Sequence, residues 1–254
     1  MTSPPTRVVA AAATRRGPHH LRNEDAWCVY EGVRLSQTDA PAGLFAVCDG
    51  VSTAGRGRLA ASIACERLGQ FGDTGTPLGL DGLGQLISEI DWELRGAGSG
   101  AYCTLALAWL DGTTAHVLTV GDSPVFRIRR GQLRQAGTDH TGFVRRGLRA
   151  YLGMGARVNE VLQHQEWSVE PGDLLLLMSD GILDALDEED LVRIWAETQE
   201  PEACVQRLLE EVARIGVDDD ATVVAVELRA DRRALSPTAP LEAPDPPRLV
   251  RGRD

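Results

Sequence analysis

Two stretches of apolar residues in the sequence end at an aspartate or one residue before it. Leu44–Cys48 leads into Asp49-Gly50, and Leu174–Met178 leads into a second Asp-Gly pair at Asp180. A short, unbroken apolar run bounded by turn residues is typical of a strand buried on both faces, so each aspartate stands where such a strand emerges. Converging carboxylates raise one another's pKa and resist joint ionisation unless a cation holds them. The pattern therefore predicts a site for divalent metal ions.

Two further acidic elements could join this site. Glu24 and Asp25 precede a predicted strand at residues 26–30, and Asp218–Asp220 precedes another at residues 221–228. A single Asp-Gly pair after a strand is more often a turn than a ligand, and Asp218–Asp220 could be a solvated turn. Four acidic elements at strand ends in one chain favour the metal site over four unrelated turns.

Composition excludes several function classes. The chain has 254 residues, of which 43% are apolar, which is enough for one large domain. The formal charge is -11 and none of the 26 basic residues is a lysine. We therefore expect no nucleic-acid partner and no mechanism that needs a lysine base, Schiff base or phosphate clamp.

The cysteines and the hydropathy pattern indicate the compartment. Five cysteines without CxxC spacing lie among apolar residues and are predicted to be reduced core thiols: Cys28, Cys48, Cys65, Cys103 and Cys204. The sequence shows neither a signal pattern nor an apolar stretch near the roughly 20 residues that span a bilayer. We expect a cytoplasmic monomer without membrane contact.

The order of apolar patterns predicts the fold class. Strands are predicted near residues 8–13, 26–30, 44–48, 101–110, 114–120, 125–129, 174–178 and 221–228. Helices are predicted as one pair at 60–71 and 83–94, and a second pair at 191–195 and from Pro201 to 212. Short connections favour antiparallel hairpins. We expect an α+β fold in which two antiparallel sheets pack face to face between helix pairs.

The ends differ from the middle of the chain. Residues 1–6 are polar, and residues 229–254 are rich in proline and arginine with little periodicity. Both ends are predicted to be disordered, on either side of one domain at residues 7–228.

Six motifs in order resemble one known family. They are Asn23-Glu24-Asp25-Ala26, Phe45–Val51, Val120-Gly121-Asp122-Ser123, Thr138-Asp139-His140-Thr141, Ser179-Asp180-Gly181-Ile182 and Asp219-Asp220-Ala221-Thr222. Together they resemble the metal-dependent protein phosphatases, the type 2C serine/threonine phosphatases, over about residues 7–228. The resemblance implies a four-layer α-β-β-α sandwich and two Mn²⁺ or Mg²⁺ ions that share a bridging water.

The resemblance also implies roles for individual residues. Asp49 would bridge both ions and Asp180 would be the second central ligand, and through the bridging water these two are the expected catalytic pair. The remaining expected ligands are the carbonyl of Gly50, Glu24, Asp25 and Asp219, with Asp122 as a ligand to a third ion. Ser123 and Thr222 match supporting positions.

The chain departs from the family pattern at the phosphate. An arginine common in the family falls at His20, so the nearby candidates for phosphate binding are Arg15, Arg16, Arg22 and His20 itself. His19 and His20 could equally be solvated loop residues. No histidine follows Asp49-Gly50, so solvent or a metal-bound water would protonate the leaving group.

Other departures concern loops around the cleft. Ser52-Thr53 replaces a Gly-Gly pair, Pro124 replaces an arginine, and the closing Asp-Asn becomes Asp219-Asp220. The flap at residues 142–150 is short. Its arginines, Arg145, Arg146 and Arg149, could contact acidic or phosphorylated partners or form a solvated helix face.

Three functional hypotheses follow. The first is a phosphatase for phosphoserine and phosphothreonine in proteins, opposing a serine/threonine kinase in bacterial signalling, with the kinase or its targets as partners. The second is a catalytically silent, metal-binding regulatory module of the same fold. The third, an aspartyl-phosphate hydrolase of the haloacid dehalogenase type with Asp49 as nucleophile, is disfavoured because Val51 replaces its second aspartate and lysine is absent.

Overall fold

A computed structural model describes residues 6–31, 42–73, 79–136, 150–155, 158–230 and 248–252. In chain order the strands are β1 (Thr6–Arg15), β2 (Ala26–Glu31), β3 (Ala42–Cys48), β4 (Leu105–Asp111), β5 (Thr114–Val120), β6 (Val125–Arg129), β7 (Gln132–Ala136), β8 (Gln163–Ser168), β9 (Leu174–Met178), β10 (Ala221–Ala230) and β11 (Arg248–Gly252). The helices are α1 (Gly57–Asp73), α2 (Gly79–Gly96), α3 (Val158–Val161), α4 (Asp180–Leu183), α5 (Glu188–Thr198) and α6 (Pro201–Ile215).

The strands form two antiparallel sheets. One has the order β1-β10-β9-β6-β7, and the other has the order β11-β2-β3-β4-β5-β8. The two central strands of the predicted metal site, β3 and β9, therefore belong to different sheets. Each of them pairs with a strand that begins just after acidic residues: β3 pairs with β2, and β9 pairs with β10.

Strand β3 explains why its sequence is an unbroken apolar run. Successive side chains of a strand point to opposite faces. Phe45 and Val47 pack into the core between the two sheets, whereas Leu44, Ala46 and Cys48 pack against the helices on the outer face. Both faces are buried, so alternation of polar and apolar residues disappears.

Two helix pairs cover the outer faces of the sandwich. Helices α1 and α2 share an apolar cluster with the six-stranded sheet, and α5 and α6 share one with the five-stranded sheet. Helix α6 begins at Pro201, whose missing N–H and fixed φ suit the first turn. The four-layer α-β-β-α sandwich predicted from the sequence is confirmed.

The cysteines lie where the sequence predicted them. All five are buried and none forms a disulfide. No helix in the described ranges has both the length and the apolar character needed to cross a membrane.

The tail differs from the disordered segment predicted for residues 229–254. Strand β10 continues to Ala230, and β11 pairs antiparallel with β2, with Arg248 opposite Glu31 and Gly252 opposite Trp27. At the other end, β1 already begins at Thr6. The physical reason is that β2 would otherwise expose an edge of unpaired N–H and C=O groups. Residues 231–247 lie outside the described ranges.

The core between the sheets predicts the cost of a cavity. Leu175 of β9 is fully buried there, so Leu175→Ala is expected to lower the free energy of unfolding by about 3 kcal/mol. The control Leu59→Ala removes a side chain that is 45% exposed and should cost less than about 1 kcal/mol. Urea unfolding measures both, and equal losses would contradict the assigned core.

Candidate metal centre

Four acidic strand ends meet where the two sheets end together. Asp49 follows β3 and Asp25 precedes β2, and the pairing of Ala26 with Cys48 places these aspartates side by side. In the other sheet Asp180 opens α4 just after β9, while Asp219 precedes β10. Each sheet thus contributes two carboxylates to the same edge of the sandwich.

The carboxylates are close enough to shift one another's pKa. Burial raises the pKa of Asp49 well above its usual range, and the charges of Asp25, Asp180 and Asp219 raise it further. The pKa of Asp180 is raised to about 6, mainly by burial and secondly by the charge of Asp122. The Asp49 carboxyl hydrogen bonds to Asp180. Without a cation, this cluster holds protons that isolated carboxylates would release at neutral pH.

Asp25 is held by hydroxyl groups from the opposite sheet. Its Oδ2 accepts hydrogen bonds from Ser179 Oγ at 2.8 Å and from Thr222 Oγ1 at 2.6 Å. The Thr222 backbone N–H donates to Ser179 Oγ at 2.9 Å, and Thr14 Oγ1 lies 2.7 Å from Thr222 Oγ1. Burial nevertheless raises the pKa of Asp25 to about 7. The network connects the two sheets and fixes one carboxylate oxygen of Asp25.

The Asp49 backbone is fixed by a threonine of the neighbouring loop. The Asp49 N–H donates to Thr104 Oγ1 at 3.0 Å, and the Thr104 N–H donates to the Asp49 carbonyl at 2.8 Å. Thr104 Oγ1 also lies 2.6 Å from Ser123 Oγ. Ser123 follows Asp122, so one hydrogen-bonded unit supports two of the predicted acidic ligands.

Two glycines permit a close backbone approach beside Glu24. A Cβ on Gly50 would lie 2.4 Å from the carbonyl carbon of Gly57 and 2.5 Å from the Glu24 carbonyl oxygen. A Cβ on Gly57 would lie 2.6 Å from Glu24 Oε2. Because no side chain fits at either position, the start of α1 packs directly against the segment that carries Gly50.

Asp220 is an anchor rather than a free ligand. It is buried, its Oδ1 accepts from the Gly17 N–H at 2.8 Å, and its Oδ2 accepts from the Glu24 N–H at 2.8 Å. His20 Nδ1 lies 3.0 Å from the same Oδ2, and His20 Nε2 lies 3.8 Å from Asp219 Oδ1. The hydrogen bond to Asp220 raises the pKa of His20.

The predicted phosphate-binding residues occupy different surroundings. Arg16 donates a hydrogen bond from Nη1 to the His20 carbonyl, which holds the loop. Arg22 is exposed. Arg15, at the end of β1, has a buried Nη1 with no hydrogen-bond partner. His20 thus lies within ion-pair distance of Asp220 beside the acidic cluster, and Arg15 carries an unsatisfied donor.

The donor set fits divalent ions such as Mn²⁺ and Mg²⁺. Three of the four buried carboxylate oxygens that lack a hydrogen-bond partner in the described part of the chain belong to this site: Glu24 Oε2, Asp25 Oδ1 and Asp180 Oδ1. Buried anionic oxygens without donors carry a large desolvation cost, and oxygen is the ligand atom that these hard cations prefer. The arrangement can therefore hold cations where the four segments meet.

Three residues of the site had no signal in the sequence. Thr104 and Gly57 support the site through hydrogen bonds or close packing, and Asp184 is an additional nearby acid whose pKa is raised by burial and by Asp219. Ser179 stood in a family motif without a role, and the structure shows that it donates a hydrogen bond to Asp25. Asp184 stands four residues after Asp180, a spacing that places both on one helix face. The motif at 138–141 and the three flap arginines lie outside the described residues.

Comparison with known proteins agrees with this geometry. The family model described as Stage II sporulation protein E (SpoIIE) matches residues 48–229. No curated protein matches the chain.

Solved structures of similar fold cover most of the chain. PppA of Pseudomonas aeruginosa, a key regulatory component of T6SS, is 25% identical with a TM-score of 0.72, over 87% of this chain and 98% of that one. The PPM Ser-Thr phosphatase MsPP of Mycobacterium smegmatis, in complex with cacodylate, is 27% identical with a TM-score of 0.68. The match covers 86% of this chain and 97% of that one. The catalytic domain of PstP, in complex with two manganese ions, has a TM-score of 0.73, and the match covers 88% of this chain and 99% of that one. At 22% identity this likeness shows the fold alone.

The raised pKa values predict how stability depends on pH in metal-free protein. A carboxyl whose folded-state pKa lies above its unfolded value stabilises the fold most when protonated, so stability is lost as pH rises. For Asp25, with a folded-state pKa of about 7, the loss is expected between about pH 4 and pH 7 and amounts to about 3 kcal/mol.

The variant Asp25→Asn tests whether Asp25 causes this pH dependence of stability. The variant should flatten the pH dependence of stability in chelator, because the amide stays neutral, and added Mn²⁺ should stabilise the wild type more than the variant. Thermal unfolding from pH 4 to pH 8 measures both effects. Identical pH slopes for the two proteins in chelator would refute the assignment.

Proposed function

Because the chain belongs to the Stage II sporulation protein E family of type 2C-like phosphatases, we propose that it is a metal-dependent protein serine/threonine phosphatase. The observation that carries this proposal is the convergence of Asp25, Asp49 and Asp180 from both sheets, with buried oxygens that lack partners. MsPP and PstP, two of the similar structures, are serine/threonine phosphatases, and PstP holds two manganese ions.

In this proposal six residues would hold two ions: Glu24, Asp25, Asp49, Gly50 through its carbonyl, Asp180 and Asp219. Asp122 would join Asp180 at a third. When bound, Mn²⁺ or Mg²⁺ would offset the charge of a phosphate ester and lower the pKa of a coordinated water.

The chain itself positions the acidic ligands. Ser179 and Thr222 occupy Oδ2 of Asp25, so its Oδ1 is left for a cation. Thr104 fixes the backbone on either side of the Asp49 side chain. These hydrogen bonds hold the acidic ligands in one orientation, and supporting bonds of this kind reduce the reorganisation that ion binding requires.

Without lysine, the positive charge near a bound phosphate must come from arginine, histidine or the ions. We assign the phosphate contact to His20, because Asp220 Oδ2 lies 3.0 Å from its Nδ1 and stabilises the protonated ring, whose Nε2 is a second donor. Arg15, with its unpartnered Nη1, is the second candidate, whereas Arg16 is engaged with the loop carbonyl and Arg22 is exposed.

The family supports a phosphoprotein as the substrate. A phosphorylated protein, such as a serine/threonine kinase or one of its targets, is the proposed partner, and signalling in the bacterial cytoplasm is the proposed setting. PppA is a regulatory component of a secretion system, which is compatible with a signalling role.

Release of phosphate from a phosphothreonine peptide tests the activity. The wild type should turn over only with Mn²⁺ or Mg²⁺. Asp49→Asn and Asp180→Asn should each reduce kcat/KM by more than about a hundredfold. A loss of that size exceeds the roughly 10- to 100-fold loss that follows when a residue hydrogen-bonded to a metal ligand is replaced. The exposed Glu188→Gln is the matched control and should retain full rates. Retained turnover in both aspartate variants would contradict the metal assignment.

A silent regulatory module is the second candidate, and the replacement of the phosphate-binding arginine by His20 favours it. Calorimetric titration with Mn²⁺ separates the two functions. Binding of Mn²⁺ without turnover of any phosphopeptide or of a generic aryl phosphate would establish the silent module and refute the phosphatase.

The contact between His20 and Asp220 predicts coupling between the two residues. His20→Gln should raise KM about tenfold, and Asp220→Asn should have a similar effect because it loses the fixed ring orientation. If the residues act together, the double variant should be little worse than either single variant. Steady-state kinetics on one phosphopeptide gives all four values, and purely additive losses would show that the contact has no role in substrate binding.

A further inference from the structure

A second group of metal-ligating side chains lies on the outer face of the six-stranded sheet. On β5, His116 stands opposite Glu166 of β8, and on its other side it stands opposite Trp109 of β4. His164 precedes Glu166 by two residues on β8, so both side chains project from the same face. The side chain of Leu118, opposite His164, projects from the same face into the apolar cluster that the sheet shares with α1 and α2. The register therefore gathers two imidazoles and one carboxylate at the edge of the sheet.

The two imidazoles are already spaced as ligands of one ion. His116 Nδ1 lies 3.3 Å from His164 Nε2, with ring centroids 5.5 Å apart and an angle of 22° between the rings. Two nitrogens bound at 2.0–2.1 Å to a tetrahedral Zn²⁺ are about 3.3–3.4 Å apart. Small side-chain rotations would be enough to point both lone pairs at a common ion, and the backbone would not have to move.

The protonation state of the pair also suits a metal. Partial removal from water lowers the pKa of His164, and the nearby charge of His116 lowers it further. Neutral imidazole is the form that ligates metals. The proton shared between the rings would move to the other nitrogen of its own imidazole, so that both facing nitrogens are free and no net proton is released.

Solvent access and a third ligand complete the arrangement. His164 and Glu166 are exposed and His116 is partly exposed, so an ion can reach the pair from outside. Opposing side chains of an antiparallel pair have Cβ atoms about 4.5–5.5 Å apart, so Glu166 would reach an ion at His116 after a change of rotamer. In the structure its carboxylate does not lie within 4.8 Å of both imidazoles. Two histidines and a glutamate, with water in the remaining position, form a known zinc ligand set.

We propose that His116, His164 and Glu166 form a separate binding site for Zn²⁺ or a similar imidazole-preferring transition metal. Such an ion would tie the edge strand β8 to β5, in addition to their backbone hydrogen bonds. The site uses ligands of a different chemical class from the acidic cluster. Hard Mn²⁺ and Mg²⁺ prefer all-oxygen sites, whereas imidazole suits Zn²⁺.

The test is a calorimetric titration of Zn²⁺ into the full chain carrying Asp49→Asn and Asp180→Asn, which removes two central carboxylates of the other site. In this background, His116→Gln and His164→Gln should each weaken one Zn²⁺ site by more than about tenfold, and Glu166→Gln should weaken it less. His20→Gln is the matched control, because His20, Asp219 and Asp220 form another group that could hold a metal. This variant should leave the site at His116 and His164 unchanged.

A second measurement uses the aromatic neighbour of the site. The Trp109 ring stacks on His116 with centroids 4.9 Å apart, so bound Cu²⁺ or Ni²⁺ should quench tryptophan fluorescence, and His164→Gln should remove that quenching. Thermal unfolding in chelator checks that the variants fold. Unchanged Zn²⁺ affinity in both histidine variants, or loss of the site only in His20→Gln, would overturn the proposal and leave an ordinary hydrogen-bonded histidine pair.

Discussion

Like-charged carboxylates lie beside one another where the two sheets end, and the rest of the site is built to hold them there. Each of Asp25, Asp49 and Asp180 has its pKa raised by burial and by acidic neighbours. Hydroxyl groups from the opposite sheet, a threonine at the Asp49 backbone and two glycines beside Glu24 keep the carboxylates in place. A cation would relieve the repulsion, so the carboxylates that destabilise the metal-free fold would also favour ion binding.

Much of this arrangement could be predicted because both faces of the central strands are buried. The apolar runs at Leu44–Cys48 and Leu174–Met178 have no polar interruptions, since one face of each strand meets the other sheet and the opposite face meets helices. The stripe from Leu83 to Leu94 gave helix α2 for a similar reason, as its apolar positions recur at helical spacing. Acidic residues just after or before such strands then had to meet at a common edge.

What could not be predicted depends on tertiary contacts or on weak local patterns. Strands β7 and β8 are short and largely polar, so they have no apolar run to mark them. Strand β11 stands in a proline- and arginine-rich tail and forms because β2 offers it hydrogen bonds. Thr104 and Gly57 are ordinary residues in the sequence, and their importance arises only from the partners that the fold brings to them.

The pairing of β11 with β2 has a consequence for recognition. Strand β2 directly follows Asp25, and its outer hydrogen-bonding edge is occupied by a segment from the far end of the chain. The edge of β2 beside the acidic cluster is therefore closed to strand addition, which is a common way for folded domains to capture extended polypeptides. In the proposed phosphatase, a substrate would be selected by side chains and loops around the cluster rather than by pairing with β2.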